Sequence, residues 1–159
     1  MRTKLKIIAI VVGGLIIVPI AYLYITRNSA VVFRYGGSVY AEHDNAFIIQ
    51  NPFRERGPED EAAKLLQDLK DGNCERVLKL PNLDTEHTKD SCDKEAAFPI
   101  QNWSIVDRQD FGKQSILVYS LTRADRSDRA AKTITTLAWI DVEKIGDDRS
   151  SVLSYQTYY

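Results

Sequence analysis

The sequence predicts an α+β fold in which an N-terminal transmembrane helix precedes a pair of helices packed on a curved antiparallel β-sheet. Three observations lead to this prediction. Residues 7–25 are an apolar run without a charge, residues 58–70 repeat apolar side chains at helical spacing, and residues 102–158 alternate apolar and polar side chains between turn signals. The helices therefore come before the sheet, as separate runs of each element type.

The apolar run of residues 7–25 has the length of a membrane span. About 19 residues at about 1.5 Å each reach about 28 Å, close to the roughly 30 Å hydrocarbon core of a bilayer. Arg2, Lys4 and Lys6 precede the run. Basic residues before a span favour a cytoplasmic N-terminus. We therefore expect residues 1–6 to be a cytoplasmic tail and the chain beyond the span to be extracytoplasmic, in the periplasm or outside the cell.

Two alternatives to an uncleaved signal-anchor remain open for this run. A cleaved signal peptide has a shorter apolar region, of about 7–15 residues, followed by small residues at the cleavage site. Here Pro19-Ile20-Ala21 lies inside the run, and Asn28-Ser29-Ala30 has a polar residue where a small one is needed. A buried helix of a soluble core seldom runs this long without a polar face. A single-pass anchor fits these features best.

The remainder of the chain divides into a juxtamembrane segment, residues 26–57, and an α+β domain, residues 58–159. This length suits one domain with its own core. The formal net charge is -1, which gives no electrostatic basis for nucleic-acid binding. No phosphate-binding loop or other cofactor motif is present, so we predict no cofactor.

Cys74 and Cys92 are the two cysteines of the chain. In a reducing compartment they would be free thiols, whereas in an oxidising one an even pair predicts a disulfide. Their separation excludes a C-x-x-C redox motif, and two cysteines alone make no zinc site. Because the domain is expected outside the cytoplasm, we predict the disulfide and no metal.

The juxtamembrane segment contains strand-forming sequence. VVFRY (31–35) and SVYAE (38–42) flank Gly36-Gly37, a two-residue turn signal that predicts a hairpin. A second turn signal, His43-Asp44-Asn45, precedes the apolar residues 46–49. We expect one or two short strands here.

Residues 58–70 form the clearest helix of the predicted domain. Pro58 suits the first helical position, and the acidic residues after it are favourable near the positive end of the helix dipole. One apolar face contains Ala62, Leu65, Leu66 and Leu69. Gly72 ends the helix, and Asn73 can cap a short second helix. The apolar face of that second helix contains Cys74, Val77 and Leu78.

Four strands follow, at residues 102–108, 115–122, 133–143 and 151–158. In the first, Trp103, Ile105 and Asp107 alternate onto one face. In the second strand, Leu117, Tyr119 and Leu121 alternate against Ile116 and Val118. In the third strand, one face is predicted to contain Ile134, Ala138, Ile140 and Val142, and the other Leu137 and Trp139. The helices are expected to cover one face of a curved sheet.

The helix start PEDEAAKLLQDLKDGN is followed by a short second helix and by the strand pairs WSIVDRQDFGKQSILVYSL and TITTLAWIDVEKIGDDRSSVLSYQTYY. This pattern resembles the NTF2-like, or cystatin-like, superfamily, especially small membrane-anchored or secreted bacterial domains of unknown function. The resemblance covers about residues 58–159 and contains no diagnostic motif. It implies a cone-shaped core between helices and sheet. The superfamily includes enzymes, ligand-binding modules and partner-binding domains, so it implies no single function.

Asp107 and Asp141 are the candidates for a catalytic carboxylate, because both lie within strand patterns and an NTF2-like pocket needs an inward-facing acid or base. Asp107 shares its predicted face with apolar residues, although a solvated carboxylate near the strand end is the simpler interpretation. His43 and His87 lie in polar, turn-like sequence without a partner at useful spacing. We expect both histidines at the surface.

Two charged groups complete the candidates. An acidic group in the cysteine loop contains Asp84, Glu86, His87, Asp90 and Asp93, without the spacing of an EF-hand. A basic group at intervals of three contains Arg123, Arg126, Arg129 and Lys132, with Asp125 and Asp128 between them. We interpret both as solvated loops, the first fixed by the disulfide.

The sequence therefore predicts a single-pass membrane protein with an extracytoplasmic domain and no evident catalytic constellation. The main hypothesis is a non-enzymatic module that binds a protein partner or envelope component, with the lipid bilayer bound by the N-terminal helix. The alternative is a small-molecule-binding or catalytic pocket in the cone, involving Asp107 and aromatic neighbours. A third hypothesis assigns the juxtamembrane strands a structural role in a larger membrane complex.

Overall fold

A computed structural model describes residues 2–27, 31–35, 47–81, 92–124, 132–146 and 149–158, and for residues 2–11 and several residues of the first two strands it describes the backbone alone. In chain order the elements are α1 (Arg2–Ile25), β1 (Val31–Tyr35), β2 (Phe47–Gln50), α2 (Gly57–Lys70), α3 (Glu75–Leu78), β3 (Ile100–Phe111), β4 (Gln114–Ala124), β5 (Thr133–Lys144) and β6 (Ser150–Tyr158). Residues 92–97 are also helical.

The helix α1 contains 24 residues and includes the whole apolar run. From Val12 onwards its large apolar side chains are exposed, for example Leu15, Ile17 and Ile25, except for the half-buried Leu23. In the described part of the chain, no helix combines the length and the apolar character needed to cross a membrane. The transmembrane assignment of residues 7–25 stays a prediction.

The predicted α+β class is confirmed by a four-stranded antiparallel sheet in the order β3-β4-β5-β6. The sheet is a meander in which each strand pairs with the next in sequence. Its strands occupy the four predicted positions and extend a few residues beyond them, most clearly at both ends of β3. Gly112 makes the β3–β4 turn with a positive φ of 64°, a conformation that glycine adopts without steric cost.

The helix α2 covers one face of the sheet, here called the inner face. Ala62, Leu65, Leu66 and Leu69 are all buried, as their spacing predicts. They pack against inner-face side chains that include Leu117, Tyr119, Leu121, Ala138, Ile140, Val142 and Tyr155. Side chains therefore fill the space between α2 and the sheet. In α3, Val77 joins this core, whereas Leu78, predicted to share its face, is 55% exposed.

A β-bulge in β3 reverses the facing of its second half. Ile105 pairs with Tyr119 but Asp107 pairs with Val118, so Val106 is an extra residue in the ladder. Directly paired residues point to the same face of an antiparallel sheet. Asp107 therefore lies on the outer face, and Arg108, paired with Leu117, takes the inward position. The alternation in β3 predicted that Asp107 faces inward. This prediction was wrong, because the extra residue Val106 moves every later side chain of the strand to the opposite face.

β1 and β2 form a separate two-stranded antiparallel sheet. The strand VVFRY is present, but its partner is Phe47–Gln50. Phe33 pairs with Ile49, and both side chains are about half exposed. The predicted partner SVYAE and the turn Gly36-Gly37 lie outside the described residues.

Candidate functional site

Asn51 joins the end of α1 to the domain. Its side-chain amide donates hydrogen bonds to the carbonyl oxygens of Leu23 (2.8 Å) and Thr26 (3.0 Å), and its side-chain oxygen accepts from the N–H of Phe53 (3.0 Å). The last carbonyls of a helix have no partner within it, so Asn51 satisfies two of them. Asn51 is fully buried, and the Phe53 ring meets the Tyr24 ring edge-on at 6.2 Å. The domain therefore begins in direct contact with α1.

A buried polar cluster lies where this connector meets α2 and the sheet. Arg108 makes a two-pronged ion pair with Asp110, at 2.9 and 3.1 Å, and also donates to the backbone carbonyl of Glu55. Glu59, in the first turn of α2, accepts from Arg54 at 2.9 Å and from Arg108 at 3.4 Å. Two cations and two carboxylates balance, so the cluster neutralises its own charge.

Tyr119 borders the same cluster on the inner face. Its hydroxyl lies 3.5 Å from the backbone carbonyl of Glu59. Burial raises the pKa of this phenol above its ordinary value, and the negative charge of Glu59 raises it further. Tyr119 therefore keeps its proton over the physiological range and acts here as a buried hydrogen-bond donor.

A second buried cluster is centred on Arg123 in β4. Its guanidinium pairs with both carboxylate oxygens of Glu95, at 2.5 and 2.9 Å, and donates to the carbonyl of Phe98 at 2.8 Å. It also donates to the hydroxyl oxygens of Thr136 and Tyr155, at 2.8 and 3.1 Å. Arg123 is fully buried. The prediction that the basic group lies in a solvated loop is wrong for Arg123. Its planar guanidinium is buried in the core, where hydrogen bonds to these partners satisfy it.

The predicted disulfide is present between Cys74 and Cys92. It joins the start of α3 to residues 92–97, the helical segment that supplies Glu95. Beside it lies an open cavity of about 210 Å³. The cavity is lined by the C-terminal end of α2, the two cysteines, Glu95, Ala96 and Pro99. Nearby, the Lys70 ammonium lies 5.6 Å from the centre of the Trp103 ring, a cation–π contact.

The predicted catalytic carboxylates are both on the outer face and are not brought together with a base. Asp107 is half-buried opposite Val118. Asp141 accepts a hydrogen bond from Ser154 at 2.8 Å, across the β5–β6 pair. The structure therefore places neither predicted carboxylate in the space between α2 and the sheet.

Most members of the remaining predicted groups lie outside the described residues. These are His43, Asp84, Glu86, His87, Asp90, Asp125, Arg126, Asp128 and Arg129. Asp93 lies in the helical segment next to the disulfide, and Lys132 is exposed before β5. Among the described residues, no group of side chains has the composition and geometry to hold a metal ion.

The two edges of the sheet differ in chemistry. The β3 edge carries Asp107, Arg108 and Asp110 and is interrupted by two bulges, and β1 lies near it. The β6 edge has the sequence SSVLSYQTY, without a charge or a proline. It has one bulge, at Leu153, and no strand is hydrogen-bonded to its outer side in the described part of the chain. In the described part of the chain, β6 is therefore the less protected edge, with one bulge where β3 has two bulges and charged side chains.

Sequence patterns did not identify Asn51, Arg108 or Glu95 as organising residues. Asn51 reads as a connector residue, because its partners in α1 are 25 and 28 positions away. Arg108 was visible only as a charge within an apolar strand. That signal could have indicated an inward arginine if the bulge at Val106 had been recognised.

Comparison with protein-family models, with curated proteins and with solved structures found no match for this chain. The resemblance to the NTF2-like superfamily therefore stays a prediction.

Proposed function

We propose that this chain is a single-pass membrane protein whose extracytoplasmic domain is a non-enzymatic binding module. Its partner is a membrane-associated protein or envelope component that adds an extended segment to the β6 edge. The observation that carries the proposal is the uncharged, proline-free edge of β6, nine residues long. Strand addition would give affinity through backbone hydrogen bonds and specificity through alternate side chains.

The anchor part of the proposal is supported by the sequence of residues 7–25 together with the extent of α1. The 24 residues of α1 reach about 36 Å at 1.5 Å per residue, and they include the whole apolar run that the sequence predicts to span the roughly 30 Å hydrocarbon core. From Val12 to Ile25 the large apolar side chains other than Leu23 are exposed rather than packed on the domain. Such a surface is stable in lipid and costly in water.

The extracytoplasmic part is supported by the Cys74–Cys92 disulfide, since structural disulfides persist in oxidising compartments. Thiol labelling of intact cells tests it. We expect both cysteines to resist a thiol reagent until the protein is reduced. Labelling of the unreduced protein would argue for a reducing compartment and against this location.

The binding part is tested by photo-crosslinking in native membranes. A photoreactive side chain replaces Gln156 on β6, and the matched control replaces Gln109 on β3. Both are exposed glutamines on the outer face, at opposite edges of the same sheet. We expect a discrete adduct with a membrane-associated partner from position 156 and none from position 109.

Backbone amide exchange then distinguishes strand addition from simple proximity. In the complex with the identified partner, the amides of β6 should exchange more slowly and those of β3 should not change. Equal adducts from both edges, or unchanged β6 exchange, would reject the β6 assignment.

A second candidate function, small-molecule binding, has the cavity beside the disulfide in its favour. Its volume of about 210 Å³ is below the roughly 300–1,000 Å³ of typical ligand sites, so it suits only a small ligand. Lys70→Met separates the two functions, because it removes the cation at the cavity and leaves β6 unaltered. Retention of the position-156 adduct in this variant supports the edge as the binding site.

A further inference from the structure

We infer that three exposed apolar side chains, Phe53, Phe111 and Ile145, form a second contact with the bilayer, inserting into its interfacial layer beside the anchor. These residues are here called the apolar tips. The inference rests on the proposed membrane anchoring by α1 and adds to it an orientation of the domain against the lipid surface. Without the tips, the hydrogen bonds from Asn51 to the end of α1 would be the main contact that orients the domain relative to the membrane.

The tips lie at the end of the domain nearest to α1. Phe53 follows Asn51, which is bonded to the last carbonyls of α1, and its ring touches Tyr24. Tyr24 belongs to the exposed apolar surface of α1, so Phe53 continues that surface onto the domain. The apolar surface is therefore continuous from the anchor to the first tip.

Phe111 is the last residue of β3, and Ile145 is the first residue after β5, so both flank the hairpin turns at this same end. The Lys144 N–H donates to the Lys113 carbonyl at 2.8 Å, which places the β3–β4 and β5–β6 turns side by side. The Lys144 ammonium pairs with Glu55 at 2.5 Å. Glu55 is four residues from Asn51, so a fully extended connector would span at most about 14 Å. Both turns are thus within reach of the surface from which α1 emerges.

The exposure of the tips is large for residues of their type. Phe53 is 44% exposed, Phe111 60% and Ile145 67%. They are separate side chains on a connector and beside two turns. Each can therefore insert into the interfacial layer of the bilayer without moving a whole helix or strand. Bulky apolar side chains in such positions gain free energy by leaving water, and an aromatic ring is favourable at headgroup depth.

The charges near the tips are nearly balanced. Arg27, Arg56, Lys113 and Arg149 are exposed, as is the acidic Glu143, and Lys144 pairs with Glu55. The sequence places Asp147 and Asp148 between Ile145 and Arg149. The contact is therefore apolar in character, and we expect it to form on phosphatidylcholine without a requirement for anionic lipid.

The test uses the full chain in phosphatidylcholine nanodiscs, with and without bromine on the lipid chains. Phe111→Trp and Ile145→Trp introduce reporters at two tips, and the emission of the parent chain, from Trp103 and Trp139, is subtracted. The matched control is Leu78→Trp, at a side chain that is 55% exposed. Leu78 lies beyond the other end of α2, whose 14 residues make that end about 20 Å away.

We expect the reporters at 111 and 145 to lose emission in brominated lipid and to shift to shorter wavelength, with no change for the reporter at 78. If each of the three reporters has the same emission in brominated and unbrominated lipid, and the chains stay in the discs, this inference is overturned and the anchor is left intact. Loss of the chain from the discs overturns the anchor and this inference with it. A shift at 111 that depends on protein concentration and not on bromine also overturns it, because a second copy then covers the tips.

Discussion

Arg123 has a fully buried guanidinium, and the carboxylate of Glu95 neutralises its charge. We expect Arg123→Met to lower the free energy of unfolding by about 3–5 kcal/mol, since it leaves a buried carboxylate without its cation. Urea unfolding of the full chain in detergent measures this. The exposed Arg149→Met is the control, with an expected change within about 0.5 kcal/mol.

The double variant Arg123→Met, Glu95→Leu separates the charge from the packing at this site. Removing both members of a buried ion pair is often close to neutral, so much of the lost stability should return. A double variant as unstable as the single one would contradict the electrostatic explanation and favour a role of the side-chain volume.

Tyr119 gives the stability of the domain a pH dependence in alkali. Its pKa is raised in the folded state, so from about pH 10 the unfolded chain releases this proton first. Stability from Tyr119 is therefore complete below about pH 10 and is lost as pH rises, by up to about 1.4 kcal/mol per pH unit. Tyr119→Phe should lack this loss. Unfolding curves of both proteins that stay parallel above pH 10 would contradict it.

At the scale of elements, the junction at Asn51 determines how firmly α1 is held. Asn51→Ala removes two hydrogen bonds to part-buried carbonyls at the end of α1, at a cost of about 1 kcal/mol or more. We expect faster amide exchange at Thr26, with α2 and the sheet unchanged. The control is Asn73→Ala, which removes an exposed hydrogen bond to the Glu75 N–H. Equal effects of the two variants would reject a special role for Asn51.

Helix and strand positions were predictable where local periodicity determines them. Leu65 and Leu69 at helical spacing, and Leu117 and Leu121 in alternation, are buried as expected. The facing of Asp107 was not predictable, because one extra residue in β3 reverses the pattern and leaves no local signal. The partner of β1 was also not predictable, since the turn signal Gly36-Gly37 favoured residues 38–42 whereas the strand that pairs with β1 is Phe47–Gln50.

The buried clusters were hidden from sequence for a different reason. Arg123 follows a strand and precedes further basic residues, so it reads as the start of a charged loop. Its partners Glu95 and Tyr155 are 28 and 32 positions away, and only the folded chain brings them together. Spacing rules address neighbours along one helix or strand, and ion pairs of this separation fall outside them.

At the scale of the whole molecule, the disulfide constrains the unfolded chain across a separation of 18 residues. A loop of this size contributes about 3 kcal/mol in the chain-entropy estimate. We expect Cys74→Ser, Cys92→Ser to lose about that much stability in urea unfolding. Reductant should bring the parent chain to the same value and leave the double variant unchanged. A parent chain insensitive to reductant would contradict this contribution.

The hydrogen bonds from Asn51 to the end of α1 couple the orientation of the domain to that of the helix. An α-helix turns by about 100° per residue, so one alanine inserted in the middle of α1 would turn the domain by about that angle relative to the N-terminal residues. Four inserted residues would nearly restore the original heading. If a partner approaches β6 from a fixed direction in the membrane, binding should be lost with one inserted residue and largely regained with four. The length of α1 would then contribute to partner recognition.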